Sequence, residues 1–121
     1  MEVIKYDDLV FKFDELVKRL NKVSQDYLLS TVEDDYDEMK RCKEEINGML
    51  DAVSHNVIKR LYRDSAIEFD EIFSSKSHYY SAEELGRHIT AQTKMFFVEK
   101  YLSKEEVKDI LRELKNKENE R

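Results

Sequence analysis

Glu84 and His88 are the two side chains in this sequence whose types and spacing best suit metal chemistry. They lie four residues apart, so a helix would bring the carboxylate and the imidazole onto one face, where both could bind the same ion. A metal site needs a third and a fourth ligand, and neither His55 nor His78 has a partner at a suitable spacing. The sequence therefore predicts no metal and no cofactor, with a metal-dependent hydrolase at Glu84 and His88 as an alternative.

Other residues that could support catalysis are scattered and lack the partners that an enzyme needs. Glu44, Glu45 and Asp51 are faintly similar to the acidic helices of all-helical nucleotide pyrophosphohydrolases, but the second acidic motif of that family is missing. Cys42 is the only cysteine and falls in an apolar stripe, where a thiol behaves as a small hydrophobic side chain. Two isolated glycines cannot form a glycine-rich phosphate loop. We therefore expect no enzymatic activity.

A basic group, His55, Lys59, Arg60 and Arg63, is the nearest that the sequence comes to a nucleic-acid contact. His55, Lys59 and Arg63 recur at intervals of four residues, so they would share a helical face that could bind phosphates. No aromatic residues for base stacking accompany them, and the formal net charge of the chain is −6. A nucleic-acid-binding helical protein is therefore an alternative and not the leading prediction.

The most prominent charged feature is an acidic segment, between Val23 and Met39, that has no lysine or arginine. It contains Asp26, Glu33, Asp34, Asp35, Asp37 and Glu38. These acids could dock on a basic protein surface, or they could imitate nucleic-acid phosphates and so inhibit a nucleic-acid enzyme. Helix electrostatics is a simpler explanation, because all but one of them fall in the first two turns of a predicted helix, where the macrodipole favours anions.

Four Ser-x-x-Glu tetrads mark the helices that would position these groups, and they start at Ser30, Ser65, Ser81 and Ser103. In such a capping box the serine oxygen accepts a hydrogen bond from the third helical amide, and the glutamate accepts one from the serine amide. The 121 residues include no proline and two glycines, with 40% charged and 40% hydrophobic residues. We therefore predict an all-α fold, an antiparallel bundle of four to five helices with a long N-terminal helical hairpin.

Apolar spacing predicts the bounds of the two hairpin helices. Apolar or aromatic residues occur at positions 6, 9, 13, 16, 20, 23 and 27, at alternating intervals of three and four. This heptad seam predicts a first helix over 4–29. The second helix is predicted over 32–62, continuing through Gly48 because its apolar stripe stays in phase there.

Shorter helices are predicted over 65–74 and 81–101 and from Ser103 onward. A chain of this length forms one domain, which we assign to 1–114. The polar segment that follows, 115–121, is predicted to be a frayed tail.

Several aromatic and apolar residues are difficult to bury in one small core. Tyr79 and Tyr80 lie at the end of a polar loop, and Phe11 falls outside the seam of the first helix. The segment 95–98 is apolar on every side, which is typical of a central helix or of half an interface. Exposed aromatic side chains are common anchors of protein interfaces.

We therefore predict a non-enzymatic protein-binding module that inhibits or regulates a larger partner protein with a basic surface. The predicted partner-binding residues are Asp34, Asp35, Asp37, Glu38, Tyr79 and Tyr80. The acids would steer the encounter, and the tyrosines would supply the desolvated contacts. A homodimer, through the heptad seam or the apolar segment, is a further alternative.

Three more observations concern the setting of the protein. No apolar run is long enough to cross a bilayer, and the first residues do not have the pattern of a secretion signal. The single cysteine suits a reducing compartment, so we expect a cytoplasmic protein that does not bind membranes. In its acidic, lysine-rich and proline-free composition the chain resembles phage and mobile-element accessory proteins and small helical immunity or antitoxin-like proteins, and this resemblance assigns no residues.

Overall fold

Five α-helices make up the part of the chain that the computed structural model describes, residues 5–30, 33–73 and 81–119. They are α1 (Tyr6–Ser30), α2 (Glu33–Asp51), α3 (His55–Phe73), α4 (Ala82–Glu99) and α5 (Lys104–Asn119). No strand occurs within the described ranges. The predicted all-α class is therefore confirmed, as is the long N-terminal helical hairpin. The chain divides into two compact units, Met1–Val53 and Ser54–Arg121.

The first unit is the hairpin of α1 and α2, which pack against each other. The buried residues of α1 are Leu9, Phe13, Leu16, Val17 and Leu20. Those of α2 are Cys42, Ile46 and Leu50, at intervals of four residues. The predicted seam is confirmed in the middle of α1, while its end positions 6, 23 and 27 are half-buried. Removal of these apolar side chains from water is the main term that stabilises the hairpin.

The predicted second helix is divided in the structure, so the prediction of one continuous helix is wrong. α2 passes through Gly48 without a break and ends at Asp51. Ser54 then starts a new helix, because its Oγ accepts a hydrogen bond from the Val57 amide at 3.3 Å and its carbonyl accepts one from the Ile58 amide at 3.0 Å. A serine at this position satisfies an amide that has no partner within the helix, which stabilises a separate start for α3.

The third helix consequently begins earlier than predicted, at His55. Ser65 lies in the middle of α3 and is buried, with 4% of its surface exposed. The capping box predicted to start at Ser65 is therefore wrong. Ala66, the next residue, is also buried, so this part of α3 belongs to the interior of the second unit.

The capping box predicted at Ser103 is confirmed. Ser81 is confirmed as the cap of α4, with Glu84 accepting a hydrogen bond from the Ser81 hydroxyl instead of the Ser81 amide. Ser81 Oγ accepts a hydrogen bond from the Glu84 amide at 3.1 Å and donates one to the Glu84 carboxylate at 3.2 Å. Ser103 Oγ accepts from the Glu106 amide at 3.1 Å, and the Ser103 amide donates to the Glu106 carboxylate at 3.0 Å. The box predicted to start at Ser30 includes residues 31 and 32, which lie outside the described residues.

The second unit consists of α3, α4 and α5, and α3 packs against both of the others. Its buried apolar residues are Ile58, Leu61, Tyr62, Ala66, Ala91, Phe97, Val98 and Ile110. Lys94 of α4 is buried with them and lies 3.2 Å from the Glu68 carboxylate of α3. Arg87 Nε lies 3.6 Å from the other oxygen of Glu68. One carboxylate therefore pairs with two cations, which offsets the cost of removing the Lys94 ammonium from water.

The helix α5 ends at Asn119. It therefore includes residues 115–119 of the segment that was predicted to be a frayed tail. The assignment of 1–114 to a single domain stays a prediction. Within the described ranges, no helix combines the length and the apolar character that crossing a membrane requires.

Candidate functional site

The last turn of α1 exposes two leucines, and the first two turns of α2 expose acids. Leu28 is 79% exposed and Leu29 is 87% exposed, in the last turn of α1. Asp34, Tyr36 and Asp37 are exposed in the first two turns of α2. We call these five residues the hairpin tip. Two adjacent exposed leucines leave apolar area in water, and contact with another apolar surface would remove it.

The four acids of the predicted binding set all lie at the start of α2, where the helix macrodipole favours negative charge. They are Asp34, Asp35, Asp37 and Glu38. Glu38 is half-buried, forms an ion pair with Arg19 of α1 and lies 3.1 Å from Arg41. Glu38 therefore joins the two helices, and the exposed negative charge here comes from Asp34, Asp37 and the neighbouring Glu33.

Tyr36 is held in place at the hairpin tip by two contacts. Its ring centroid lies 5.8 Å from that of Tyr27 on α1, with an angle of 43° between the rings. Lys40 Nζ lies 5.0 Å from the Tyr36 ring centroid, a cation–π distance. The tip therefore presents an ordered aromatic side chain beside its leucines and acids, a combination that is common among the anchors of protein interfaces.

Tyr79 and Tyr80 lie outside the described residues, so their part in partner binding stays a prediction. Leu28 and Leu29, by contrast, are residues that sequence reasoning missed. The available signal was their position relative to Tyr27, the last residue of the heptad seam. The seam spacing would next use position 30 or 31, so both leucines fall outside the buried side of α1.

Three of the four predicted nucleic-acid contacts pair with acids of α5. The set comprises His55, Lys59, Arg63 and the exposed Arg60. His55 Nε2 lies 2.5 Å from Glu106 Oε2, and Lys59 Nζ lies 3.4 Å from the same oxygen. Arg63 donates a hydrogen bond to Glu113 at 3.0 Å. These carboxylates reduce the positive potential of this side of α3, so the structure adds no support to nucleic-acid binding there.

Glu106 is expected to make the stability of the second unit depend on pH. Hydrogen bonds from the Ser103 amide and then from His55 lower the pKa of Glu106 from 4.5 to about 2. A carboxyl with a lower pKa in the folded state stabilises the fold above its unfolded pKa, and this contribution is lost as the pH falls from about 4.5 to about 2. Glu106→Gln should therefore lower Tm at neutral pH and reduce the loss of Tm on acidification. Thermal denaturation followed by circular dichroism between about pH 7 and pH 2.5 measures both effects.

The matched control for this prediction is Glu113→Gln. Glu113 is an acid on the same helix, its side chain is 62% exposed, and it pairs only with Arg63 among the contacts described above. This variant should retain the wild-type dependence of Tm on pH. If Glu106→Gln and Glu113→Gln show the same dependence, Glu106 does not have the stabilising role assigned to it.

Glu84 and His88 both lie on α4, and each has contacts of its own. Glu84 completes the cap of α4 with Ser81, and the His88 ring stacks on Phe69 of α3 with centroids 4.2 Å apart and an angle of 26°. Within the described ranges, no group of three or more His, Cys, Asp or Glu residues could hold a metal ion. The metal-dependent alternative at these two residues therefore gains no support from the geometry.

The remaining candidates for catalysis lie along α2. Cys42 is buried, and this burial raises the pKa of its thiol, as does the nearby Glu38. A neutral, buried thiol is a packing residue and a poor nucleophile. Glu44, Glu45 and Asp51 are exposed on the surface of the helix.

A shallow depression of about 390 Å³ lies on the second unit. It is lined by Asp64, Ile67, Glu68, Glu71 and Arg87. The carboxylate of Glu68 is already bound to two cations of α4. The hairpin tip, which exposes more apolar surface, is therefore the better defined candidate for a binding site.

No protein-family model matches the chain, and no curated protein or solved structure is significantly similar to it. The geometry of the exposed surfaces is therefore the basis on which a function can be proposed.

Proposed function

We propose that this chain is a non-enzymatic protein-binding module, which binds a larger partner protein through the hairpin tip and so inhibits or regulates that partner. The observation that carries the proposal is the exposure of Leu28 (79%) and Leu29 (87%) in the last turn of α1, together with the exposed Asp34 and Asp37 in the first two turns of α2. Apolar residues with charged residues at their margin are the common arrangement of a protein interface, in which an apolar centre is surrounded by a polar rim.

The partner surface that suits this tip is basic. No lysine or arginine occurs between Val23 and Met39, so the negative charge of Asp34 and Asp37 is not offset within that segment. Long-range attraction between such acids and a basic surface raises the association rate and orients the encounter. The leucines act at short range, because the apolar area that they bury slows dissociation.

By covering a surface of its partner, a small module of this kind would inhibit or regulate that partner without catalysing a reaction. One class of partner with a basic surface is a nucleic-acid enzyme, whose phosphate-binding groove the acids would occupy. The cytoplasmic setting belongs to the same proposal, because the one cysteine of the chain, Cys42, is a buried free thiol.

The test of the acids is a comparative capture from extracts of the native cell, with the purified chain as bait. Asp34→Lys combined with Asp37→Lys should lose a partner that the wild type retains. Glu44→Lys combined with Glu45→Lys is the matched control, because it makes the same change in net charge with two exposed acids of the same helix. With the purified partner at low salt, the tip variant should reduce the association rate by about tenfold or more, and the control should change it less than twofold.

The test of the leucines uses the same assay. Leu28→Ser combined with Leu29→Ser should raise the dissociation rate and leave the association rate close to that of the wild type, because these residues carry no charge. Retention of the same partners by the wild type, the acid variant and the leucine variant alike would show that the hairpin tip is not the binding surface.

A further inference from the structure

The last helix of the second unit, α5, buries little apolar surface. Among its described residues Ile110 alone is buried, and Val107 and Leu114 are half-buried. A helix held by so few apolar contacts belongs to the least stable part of a fold, which opens more readily than the packed interior. Separation from α3 therefore costs less for α5 than for α4, which has several buried residues.

Charged contacts supply much of what holds α5 on α3. Glu106, in the first turn of α5, pairs with His55 and Lys59 in the first two turns of α3. Seven residues later, Glu113 pairs with Arg63. Because the earlier acid meets the earlier bases, α5 runs parallel to α3. These pairs join two helices of fixed sequence, so α5 of a second copy would satisfy them as well as the chain's own α5 does.

The connection between α4 and α5 contains no residue that stops a helix. Segment 99–104 has neither proline nor glycine. Lys100 has right-handed helical dihedral angles, φ −61° and ψ −25°, and the Tyr101 amide donates to the Val98 carbonyl at 3.0 Å, as in a 3₁₀ turn. Changes of backbone angle within 101–103 would therefore join α4 and α5 into one helix. Joining pairs the last carbonyls of α4 with the first amides of α5, which have no helical partners at two separate ends.

We propose that two copies of the chain exchange α5, so that α4 and α5 of each copy join into one helix and α5 packs on α3 of the other copy. Phe69 near the end of α3 stacks on His88 near the start of α4, so these helices run antiparallel. A two-fold axis across the connection then makes the joined helix parallel to α3 of the other copy. This is the direction in which α5 packs on its own α3, so the exchanged dimer reuses the contacts of the single chain.

The exchanged dimer does not depend on a large new surface. Each α5 loses its contacts with one α3 and gains the same contacts with another. The added contacts lie where the two joined helices cross, at Tyr101 and Leu102, which are half-buried in the single chain. Association also costs translational and rotational freedom, so the dimer should form only at high concentration. The inference goes beyond the proposed function and concerns the other unit, so either can fail without the other.

Ser103 distinguishes the two states, because it caps α5 only while the connection is turned. Ser103→Ala and Ser103→Gly both remove the hydroxyl, but alanine favours a continuous helix and glycine opposes it. Because a dimer contains two connections, Ser103→Ala should dimerise at a concentration at least about tenfold lower than Ser103→Gly. Sedimentation equilibrium of the full chains from about 10 µM to about 1 mM measures this, and the wild type should become partly dimeric at the upper end.

Charge reversal tests whether α5 is the helix that is exchanged. Glu106→Lys combined with Glu113→Lys places bases of α5 against the bases of α3. His55→Glu combined with Lys59→Glu and Arg63→Glu places acids of α3 against the acids of α5. Neither variant can pair its own α5 with its own α3. When the two are mixed, exchange gives opposite charges at both α3–α5 contacts, so a heterodimer should form.

The matched control mixes the same α3 variant with Glu105→Lys combined with Asp109→Lys. Both residues are exposed acids of α5, and Asp109 lies 3.8 Å from Arg112 of its own helix. The change of charge is the same, but the acids that pair with α3 are kept, so this mixture should stay monomeric. Circular dichroism checks the helix content of each variant. The proposal is overturned if the first mixture stays monomeric, if both mixtures associate equally, if the two Ser103 variants associate equally, or if the wild type stays monomeric at the highest concentration.

Discussion

Phe13→Ala is expected to lower the free energy of unfolding by about 3–5 kcal/mol, because the substitution removes a fully buried ring and leaves a cavity that the hairpin can fill only in part. Phe13 is 0% exposed and belongs to the heptad seam of α1. Urea denaturation monitored by circular dichroism measures the change, and an unaltered slope of the free energy against urea shows that the unfolded states are comparable.

Phe11→Ala is the control for this prediction. Phe11 is the same residue type, two positions away on the same helix, but it is 67% exposed. Its replacement should change the free energy of unfolding by no more than about 0.5 kcal/mol. Similar effects of the two substitutions would mean that the seam does not form the packed interior of the hairpin.

Glu68→Gln is expected to lower the free energy of unfolding by about 2–3 kcal/mol, because it removes the negative charge that lies 3.2 Å from the buried ammonium of Lys94. The Lys94 side chain is 5% exposed, and that of Glu68 is 29% exposed, so water reaches the pair from the carboxylate side and moderates the cost. Glutamine retains the size and some of the hydrogen bonding of glutamate. The decrease in the free energy of unfolding therefore reflects mainly the removal of the negative charge.

The substitution Lys94→Met tests whether the buried ammonium is the reason that Glu68→Gln lowers the free energy of unfolding. Lys94→Met replaces the buried cation with an apolar chain of similar length and should by itself be nearly neutral or stabilising. In the Lys94→Met background, Glu68→Gln should cost less than half as much as in the wild type, as measured by urea denaturation of the four proteins. If Glu68→Gln lowers the free energy of unfolding equally in the wild type and in Lys94→Met, the buried lysine is not the cause of the destabilisation.

The buried side of α1 could be predicted from the sequence because its apolar residues recur at regular intervals. The seam of α1 spans many turns, so a single irregular position does not obscure it. The break before Ser54 could not be found in the same way. The tetrad Ser54-His55-Asn56-Val57 has no acid in its last position, so it does not match a capping box, although Ser54 caps α3.

Ser65 illustrates the opposite error. It matches the capping pattern with Glu68, but it is buried within α3, and Glu68 pairs with α4 instead. A capping box is defined by four consecutive residues, whereas burial depends on the packing of distant segments. Local patterns therefore predict helix starts only where no tertiary contact competes for the same side chains.

The charges of the candidate site were easier to predict from the sequence than its apolar part. The acids at the start of α2 follow from the sequence, because they cluster without basic neighbours. Leucine is usually assigned to a core, so Leu28 and Leu29 are easily missed, although the spacing of the seam places both outside the buried side of α1. The partner-binding role of Asp34 and Asp37 stays a prediction until it is measured.

Among the described residues between Leu20 and Cys42, none is buried. The hairpin tip therefore lies outside the packed interior, and its side chains can be replaced at little cost in folding stability. If related proteins bind different partners, their sequences should differ most between Leu20 and Cys42. The apolar spacing of the seam in α1 should then be kept. Descendants of one ancestral hairpin would share a periodic pattern while retaining few identical residues.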